Sequence, residues 1–351
     1  MKTYKHRKTI GSLVTYSAVF FLVFFAFMQT EANAVSSGLI RIAHTGSEKG
    51  VYDPYQALTA TFKYIVEEET QGRFKIQSYP NSQLGPVTPT LQQLERGLLE
   101  MSSGANTSYL ASWYPGVEVL DIPYLFPSLD VARRVLNGPF GQNLSDRIAA
   151  KCGIKVLAWL PSAMRSFALN KEAKTPADLK GVKLRVMETP VYVEMVKSLG
   201  AIPTPIPWGE LYTSLQTGVV GGQDQPPYIM RSFKFNEVNK HFLLDEHSLN
   251  SMGLFMSNSF YKGLSPEDQQ IMRHAAREAQ LAMLGVVTAA QVDDMKWLAT
   301  EGKMKIYRPT TAEKELFKKA AYEPVVNWLK KRVEPGLIEE LAKAVDKAEK
   351  E

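Results

Sequence analysis

Short apolar runs alternate with helical segments through the first half of the chain, and this alternation restricts the fold more than any other feature. Strands are expected at residues 39–43, 74–79, 101–104 and 154–160. Helices are expected between them, at residues 54–69, 86–97, 130–136 and 143–150. Pro54 falls in the first turn of its helix, where its missing N–H breaks no intrahelical hydrogen bond. This order predicts an α/β fold with a mainly parallel sheet that helices cover on both faces.

The carboxyl ends of the first strands point to a binding site, because ligands of such sheets bind beyond these ends. The loop that starts at His44 follows the first strand and contains Tyr52, and the strand at 101–104 leads into Asn106. These three residues are candidate ligand contacts. The aromatic cluster after Asn106 is more typical of a hydrophobic core and consists of Tyr109, Trp113 and Tyr114.

Length and charge restrict the class of protein further. With 351 residues the chain exceeds one ordinary domain, which favours two lobes, and its 45% apolar content supports a substantial core. Of the net charge of +5, residues 1–34 supply +3, since they contain four basic residues and one acidic residue. The remaining +2 includes no arginine-rich or basic–aromatic block, so nucleic-acid binding is not expected.

Residues 1–34 have the composition of a secretory signal peptide. A basic segment through Lys8 precedes an apolar stretch from Leu13 to Met28, and Ala32-Asn33-Ala34 supplies a cleavage signal of small residues. We expect cleavage near Ala34 and export to the periplasm. The apolar stretch is nearly long enough to span a bilayer, so an uncleaved membrane anchor is the alternative.

Motifs for catalysis and metal binding are scarce in this sequence. Cys152 is the single cysteine, which excludes an intramolecular disulfide and a cysteine metal cluster. The five histidines show no metal-binding spacing, and there is no HExxH, P-loop or GxSxG motif. We therefore expect neither a metal nor a cofactor.

An arginine lies inside a short apolar run in the second half of the chain. Residues 183–186 form a predicted strand, and Arg185 is its third residue. A buried guanidinium is costly without an anion, so either a carboxylate of the protein or a ligand carboxylate pairs with it. Arg165 lies in a similar run at 165–169, and two arginines on neighbouring strand ends would form an anion-binding opening.

Two further side chains complete a possible pocket. Trp208 follows a proline-rich turn at 203–207 and begins a predicted helix. Residues 218–227 are expected to form a short strand that ends in polar side chains, among them Gln225. An arginine pair, an aromatic wall and an amide are together typical of a pocket for a small organic acid.

The sequence resembles the periplasmic solute receptors of tripartite ATP-independent periplasmic (TRAP) transporters. The resemblance covers roughly residues 39–328 and rests on the segment 175–227 together with shorter motifs in family order. These motifs are Gly72-Arg73-Phe74, Gln83-Leu84-Gly85, DIPYLF at 121–126 and ADLKG at 177–181. The family implies a two-lobe periplasmic binding protein fold, in which each lobe has a mixed, mainly parallel sheet flanked by helices.

The resemblance also implies how the lobes are divided. Lobe 1 is expected over residues 39–161, completed by about 251–290, and lobe 2 over residues 162–250, completed by about 291–351. A helical pattern runs from Ser265 to about Thr300, and the family implies one long helix that spans both lobes. Two helices with a kink near Gly285 are the alternative. The rest of the chain is expected to contain a last strand and a helical end, at residues 303–307 and 311–351.

The family further implies a role for several candidate residues. Arg185 matches the arginine that binds the substrate carboxylate, and Arg165 matches a second, less uniform arginine whose alternative role is a salt bridge between lobes. Trp208 stands at an aromatic position beside the ligand, and the alternative is a core tryptophan. Gln225 lies in GGQDQPP, where many relatives carry DGQEN-P, so the pattern departs twice. Glu188, three residues after Arg185, faces the cavity or instead the surface, or pairs with Arg165.

The resemblance predicts a transport receptor without enzymatic activity. Two lobes would close around a small organic acid, and the closed monomer would dock on the small and large TRAP membrane permease subunits. An exported α/β enzyme acting on a carboxylic acid is one alternative, and its acid–base candidates would be Glu188, Asp224 and His44. A receptor that presents its ligand to a signalling protein is the other.

Overall fold

The computed structural model describes residue 1, residues 35–50 and residues 53–351. The predicted signal peptide, apart from its first residue, lies outside these ranges, and so does Tyr52. Within the described ranges, no helix combines the length and the apolar composition that a membrane crossing requires.

One sheet of nine strands runs through the described part of the molecule. In chain order the strands are β1 (Gly38–His44), β2 (Phe74–Tyr79), β3 (Met101–Asn106), β4 (Ile154–Leu169), β5 (Lys183–Val186), β6 (Ile202–Pro205), β7 (Gly222–Gln225), β8 (His241–Ser257) and β9 (Lys305–Tyr307). Across the sheet the order is β2-β1-β3-β8-β4-β7-β5-β6, and β9 pairs with β8 outside this path.

Helices separate most of these strands, as the apolar alternation predicts. They are α1 (Pro54–Glu69), α2 (Val87–Glu95), α3 (Leu129–Asn137), α4 (Pro139–Cys152), α5 (Pro176–Leu179), α6 (Pro190–Ser198), α7 (Leu211–Gln216), α8 (Pro227–Ser232), α9 (Asn258–Gly263), α10 (Pro266–Ala299), α11 (Thr311–Leu329) and α12 (Leu337–Lys350). Short 3₁₀ helices lie at Thr107–Ser112, Pro115–Asp121, Trp208–Glu210 and Phe235–Glu237. The bounds of α1, β2 and β5 coincide with those predicted.

Parallel and antiparallel pairs occupy different parts of the sheet. β1 pairs in parallel with β2 and β3, and β5 pairs in parallel with β6 and β7. The long strands β4 and β8 pair with each other in antiparallel orientation and connect to these two groups through β7 and β3. The predicted α/β class with a mixed sheet is therefore confirmed, with one parallel group in each half of the molecule.

The two long strands pass from one half of the molecule into the other. The sequence predicts separate strands at 154–160 and 165–169, but both belong to β4, and residues 251–257 are the end of β8. The ladder between β4 and β8 shifts register after Pro161 and after Arg165, and Glu246 in β8 has a φ of 54°. Such irregularities bend a strand without ending its pairing. The interval between the two predicted strands, around Ser162, is therefore a bend within β4.

A helix of 34 residues, α10, connects the two halves. At 1.5 Å per residue it is about 51 Å long. Near its start Met272 lies in one buried cluster with Phe62 of α1. Near its end Asp294 accepts a hydrogen bond from Arg231 of α8 at 2.9 Å. Gly285 does not interrupt it, so the chain adopts the single long helix and not the kinked pair.

The helical end of the chain is broken once, which corrects the prediction of helix throughout 311–351. Residues 330–336 separate α11 from α12. Pro335 has no N–H to continue a helix, and Gly336 has a φ of 86°, a left-handed conformation that glycine adopts without a steric penalty. The Pro335-Gly336 pair is a turn signal in the sequence, which the prediction of an unbroken helix overlooked.

Candidate ligand-binding site

A small cavity lies where the two halves of the molecule face each other. Its volume, taken as the space that the centre of a water molecule can occupy, is about 50 Å³. The half with β1–β3, called lobe 1 from here on, contributes residues from the ends of β1 and β3 and from the starts of α1 and α2. The half with β5–β7, called lobe 2, contributes residues of β5, β7 and α8. Five of the predicted site residues line it, namely Asn106, Arg165, Arg185, Trp208 and Gln225.

Arg185 is buried in β5 and incompletely satisfied. Its side chain is among the largest that are almost fully buried, and the residue is 1% exposed. Its Nε donates to the carbonyl oxygen of Ile206 at 2.9 Å, whereas its Nη1 has no hydrogen-bond partner among the described residues. Burial lowers the pKa of Arg185, because charge is unfavourable away from water. The guanidinium therefore offers a donor to an anion that the described chain does not supply.

Arg165 is satisfied by the protein itself. Its Nε donates to Asp224 Oδ2 at 2.6 Å, its Nη2 to the Asp224 carbonyl oxygen at 2.6 Å, and its Nη1 to Asn250 Oδ1 at 2.9 Å. Burial opposes its charge, but the Asp224 carboxylate raises the pKa of Arg165. β7 lies between β4 and β5, so the two arginines are not on neighbouring strand ends as the sequence predicts.

Asp224 belongs to a buried chain of alternating charges. His247 Nε2 lies 3.4 Å from Asp224 Oδ2, and His247 Nδ1 lies 3.1 Å from both oxygens of Asp245. Burial would lower the pKa of His247, but Asp245 and Asp224 raise it to about 9. Burial would likewise raise the pKa of Asp224, but Arg165 and His247 lower it to about 2. Two cations and two anions thus balance within this network, and Arg185 stands outside it.

Asn106 connects the cavity to a second buried group, Asp121. Its Oδ1 accepts hydrogen bonds from the Ser108 amide at 2.8 Å and hydroxyl at 2.6 Å, and its Nδ2 donates to Asp121 Oδ1 at 3.4 Å. The same Asp121 oxygen accepts bonds from Tyr192 of α6 and Ser251 of β8, both at 3.0 Å. Burial raises the pKa of Asp121 to about 7 despite these bonds. Asp121 therefore links residues of both lobes beside the cavity.

Trp208 and Gln225 line the cavity from lobe 2. The Trp208 ring meets Phe233 and Phe235 edge to face, with centroid distances of 4.8 and 5.6 Å. It is therefore part of a hydrophobic cluster and of the cavity wall at the same time. Gln225 is the last residue of β7 and is buried. Its amide is one of the uncharged polar groups that face the cavity.

Two of the described site candidates, His44 and Glu188, are not among the residues that line the cavity. His44 is buried at the end of β1, where its Nε2 lies 3.2 Å from Glu48 Oε1, and the next residue, Thr45, lines the cavity instead. Glu188 is exposed and does not pair with Arg165. Tyr52 lies outside the described residues. The strand-end rule thus leads to the edge of the sheet where this cavity lies, but not to each side chain that lines it.

Sequence reasoning missed Tyr55 and Asn250, which also line the cavity. The Tyr55 ring lies close to two glycines, since a Cβ atom added at Gly46 or Gly104 would be 2.2 Å from a ring atom. The glycine in each segment was the available signal for this close approach. Asn250 had no comparable signal, because its partner Arg165 is 85 residues away in the sequence.

A larger cavity, with about 530 Å³ of space for water centres, lies between residues 124–129, α10 and α11. Its charged residues include Glu246 and Lys314, which pair at 3.2 Å and are both close to 40% exposed. Exposed ion pairs contribute little to binding or stability, and neither arginine of the small cavity lines this one. The described residues also contain no group of three or more side chains placed to hold a metal ion. The small cavity is therefore the better candidate.

Comparison with known proteins gives a family match over most of the chain. Residues 43–331 match the family described as bacterial extracellular solute-binding protein, family 7. A solute-binding protein of Verminephrobacter eiseniae is 36% identical over 219 residues, which are 62% of this chain and 65% of that protein. The 2,3-diketo-L-gulonate-binding periplasmic protein YiaO of Escherichia coli is 30% identical over 308 residues, which are 87% of this chain and 91% of that protein.

Solved structures share the architecture over most of the chain. The crystal structure of a TRAP periplasmic solute binding protein from Shewanella oneidensis, with bound succinate, superposes with a TM-score of 0.82 at 26% identity. The superposition covers 88% of this chain and 99% of that one. The two-lobe fold that the sequence predicts is therefore confirmed.

Proposed function

This chain belongs to family 7 of the bacterial extracellular solute-binding proteins, and from this membership we propose that it captures a small organic acid for a TRAP-type secondary transporter. The single observation that carries the proposal for this cavity is the buried Arg185 guanidinium with its unpartnered Nη1. A ligand carboxylate in the cavity supplies the missing anion. Charge-assisted bonds from a planar guanidinium to a carboxylate are among the strongest hydrogen bonds in proteins.

The other cavity residues take supporting roles in this proposal. Asp224 and Asn250 hold Arg165 in a fixed orientation at the cavity wall. Trp208 covers the ligand from lobe 2, and the amide of Gln225 binds a polar group of it. Asn106 contributes from lobe 1, so a ligand that contacts Asn106 and Arg185 together holds the lobes closed.

Capture proceeds by closure of the two lobes. The bends in β4 and β8 lie where these strands pass from one lobe to the other, at the register shifts near Pro161 and Arg165 and at Glu246. Lobe 1 is proposed to comprise residues 39–161 with about 251–290, and lobe 2 the rest of the mature chain. Closure removes water from the cavity and so strengthens the bond between Arg185 and the carboxylate.

The family also supports a proposal for the cellular context. The receptor works in the periplasm, after cleavage of the leader near Ala34, as a monomer that delivers its ligand to the small and large permease subunits. An ion gradient drives transport. A receptor that presents its ligand to a signalling protein would share every step except delivery to the permease. Binding of the liganded protein to purified permease distinguishes the two functions.

An enzymatic function is the less favoured candidate. Of its three acid–base candidates, Asp224 is bonded to Arg165, Glu188 is exposed and His44 does not line the cavity. We propose that the bound acid leaves unchanged. Incubation with the tightest-binding acid, followed by analysis of the acid, tests this directly.

The test of acid binding compares each acid with its methyl ester by isothermal titration calorimetry. The methyl ester lacks the negative charge and the second equivalent acceptor oxygen, so it leaves the charge of Arg185 unbalanced and should bind at least tenfold more weakly. Equal affinity for an acid and its ester would contradict the role of Arg185. Failure of every acid to bind would contradict the function itself.

A further inference from the structure

The charges around the cavity limit how many carboxylates a ligand can carry. Arg165 is neutralised by Asp224 and His247 by Asp245, and all four side chains are buried. Arg185 is then the one cation lining the cavity, among the described residues, whose charge no protein carboxylate balances. A ligand with one carboxylate restores neutrality. A second carboxylate would be buried without a counter-ion, which is strongly unfavourable.

The uncharged polar groups of the cavity wall are partly occupied as well. The Oδ1 atom of Asn106 is taken by Ser108. The Oδ1 of Asn250 accepts from Arg165, and its Nδ2 donates to Ser162 at 3.0 Å. A ligand with many hydroxyl groups needs a partner for each of them, since an unpaired buried hydroxyl loses its bonds to water.

The rest of the wall is largely apolar. Residues without a polar side chain contribute from both lobes and from β8, and they include Val87, Ala105, Met187, Ile229 and Met252. The space for water centres is about 50 Å³. Since one water needs about 10–15 Å³ of such space, the cavity holds about four waters, which suits a short ligand.

We infer that the ligand is a short monocarboxylate with an apolar body and at most one oxo or hydroxyl group near the carboxylate. Arg185 binds the carboxylate, Gln225 or Thr45 binds the additional oxygen, and the apolar residues enclose the body. This inference rests on the proposed function and narrows it. The inferred ligand differs from those of the relatives above, of which one is named for a diketo sugar acid and another holds succinate.

The experiment measures affinities for three sets of acids that contain three to eight carbons. The first set holds monocarboxylates with no more than one oxo or hydroxyl group, the second dicarboxylates, and the third polyhydroxy acids. Within them, 2-oxobutanoate, succinate and erythronate share a four-carbon skeleton and differ only in these groups. Calorimetry on the purified protein should find the tightest ligand in the first set. Its Kd should be at least tenfold lower than that of the tightest ligand in either of the other sets.

The outcomes are distinct. A dicarboxylate or polyhydroxy acid as the tightest ligand would overturn the inference and leave the proposed function in place. Absence of binding in all three sets, by protein that unfolds cooperatively, would overturn the proposed function and the inference with it.

A pair of variants tests the charge argument separately. Asp224→Asn removes the charge that neutralises Arg165, so the ratio of succinate to 2-oxobutanoate affinity should rise at least tenfold. Asp294→Asn is the matched control, because Asp294 is also a buried carboxylate that pairs with an arginine, but that arginine, Arg231, does not line the cavity. An unchanged ratio in folded Asp224→Asn protein would overturn the charge argument. If that variant does not fold, the three acid sets decide alone.

Discussion

Replacing Arg185 with methionine should distinguish a ligand-binding arginine from a structural one. Methionine retains an apolar stem of similar length but loses the charge and all donors. In the unliganded protein the substitution removes one hydrogen bond, from Nε to Ile206, which contributes about 1 kcal/mol. It also removes a buried charge without an anionic partner, which offsets that loss. The free energy of unfolding of the unliganded protein should therefore change by no more than about 1 kcal/mol.

Ligand affinity should respond strongly to the same substitution. The carboxylate would be left buried without its partner, at a cost of about 2–5 kcal/mol. At 1.4 kcal/mol per decade this corresponds to a loss of roughly 30-fold to 4,000-fold. Arg185→Lys keeps the charge but not the planar pair of donors, so affinity should fall by about tenfold or more.

Arg165→Met is the matched control, because Arg165 is equally buried but is paired within the protein. This substitution leaves the Asp224 carboxylate buried beside His247 alone. Breaking a buried ion pair in this way costs about 3–5 kcal/mol of stability. Urea denaturation of the unliganded variants and calorimetry with the tightest acid measure the two quantities independently.

The reasoning is refuted if the two variants exchange their behaviour. Loss of several kcal/mol of stability in unliganded Arg185→Met, with near-normal affinity of the folded fraction, would make Arg185 a structural ion-pair residue. Its partner would then be a carboxylate of the protein, the alternative that the sequence leaves open for Arg185.

Three other predictions concern closure, pH and processing. Saturating ligand should reduce the radius of gyration in small-angle scattering, because the lobes close, and an unchanged radius would argue against closure. The pKa of His247 is raised to about 9 in the folded protein, so its stabilising contribution is complete below its ordinary value near 6.5 and is lost as pH rises through 9. Urea denaturation should show a loss of roughly 3 kcal/mol in the free energy of unfolding, and this loss should disappear in His247→Gln. Equal slopes of the unfolding free energy against pH in both proteins would contradict the prediction. N-terminal sequencing of exported protein should begin near Val35, whereas membrane-bound protein that retains residues 13–28 would support the anchor.

Much of the fold was readable from local patterns. The starts and ends of α1, β2 and β5 are set by nearby proline, glycine and alternating apolar residues, and such signals act within a few positions of the chain. The same is true of Arg185, whose burial follows from the apolar run at 183–186. For this reason the sequence by itself determined the α/β class, the edge of the sheet that carries the candidate cavity, and Arg185 as the main candidate residue in it.

Only the tertiary structure decided which buried charges neutralise one another. Arg165 and Arg185 look alike in the sequence, but Arg165 meets Asp224, 59 residues later, because β4 lies beside β7. Likewise, the sequence around the bend in β4 looks like the end of one strand and the start of another. The strand continues there because β4 and β8 remain paired on both sides of the bend. Pairing across strands depends on the order of the sheet, and no local pattern encodes that order. The unbalanced charge of Arg185, seen among the described residues at the cavity, is thus a property of the folded molecule.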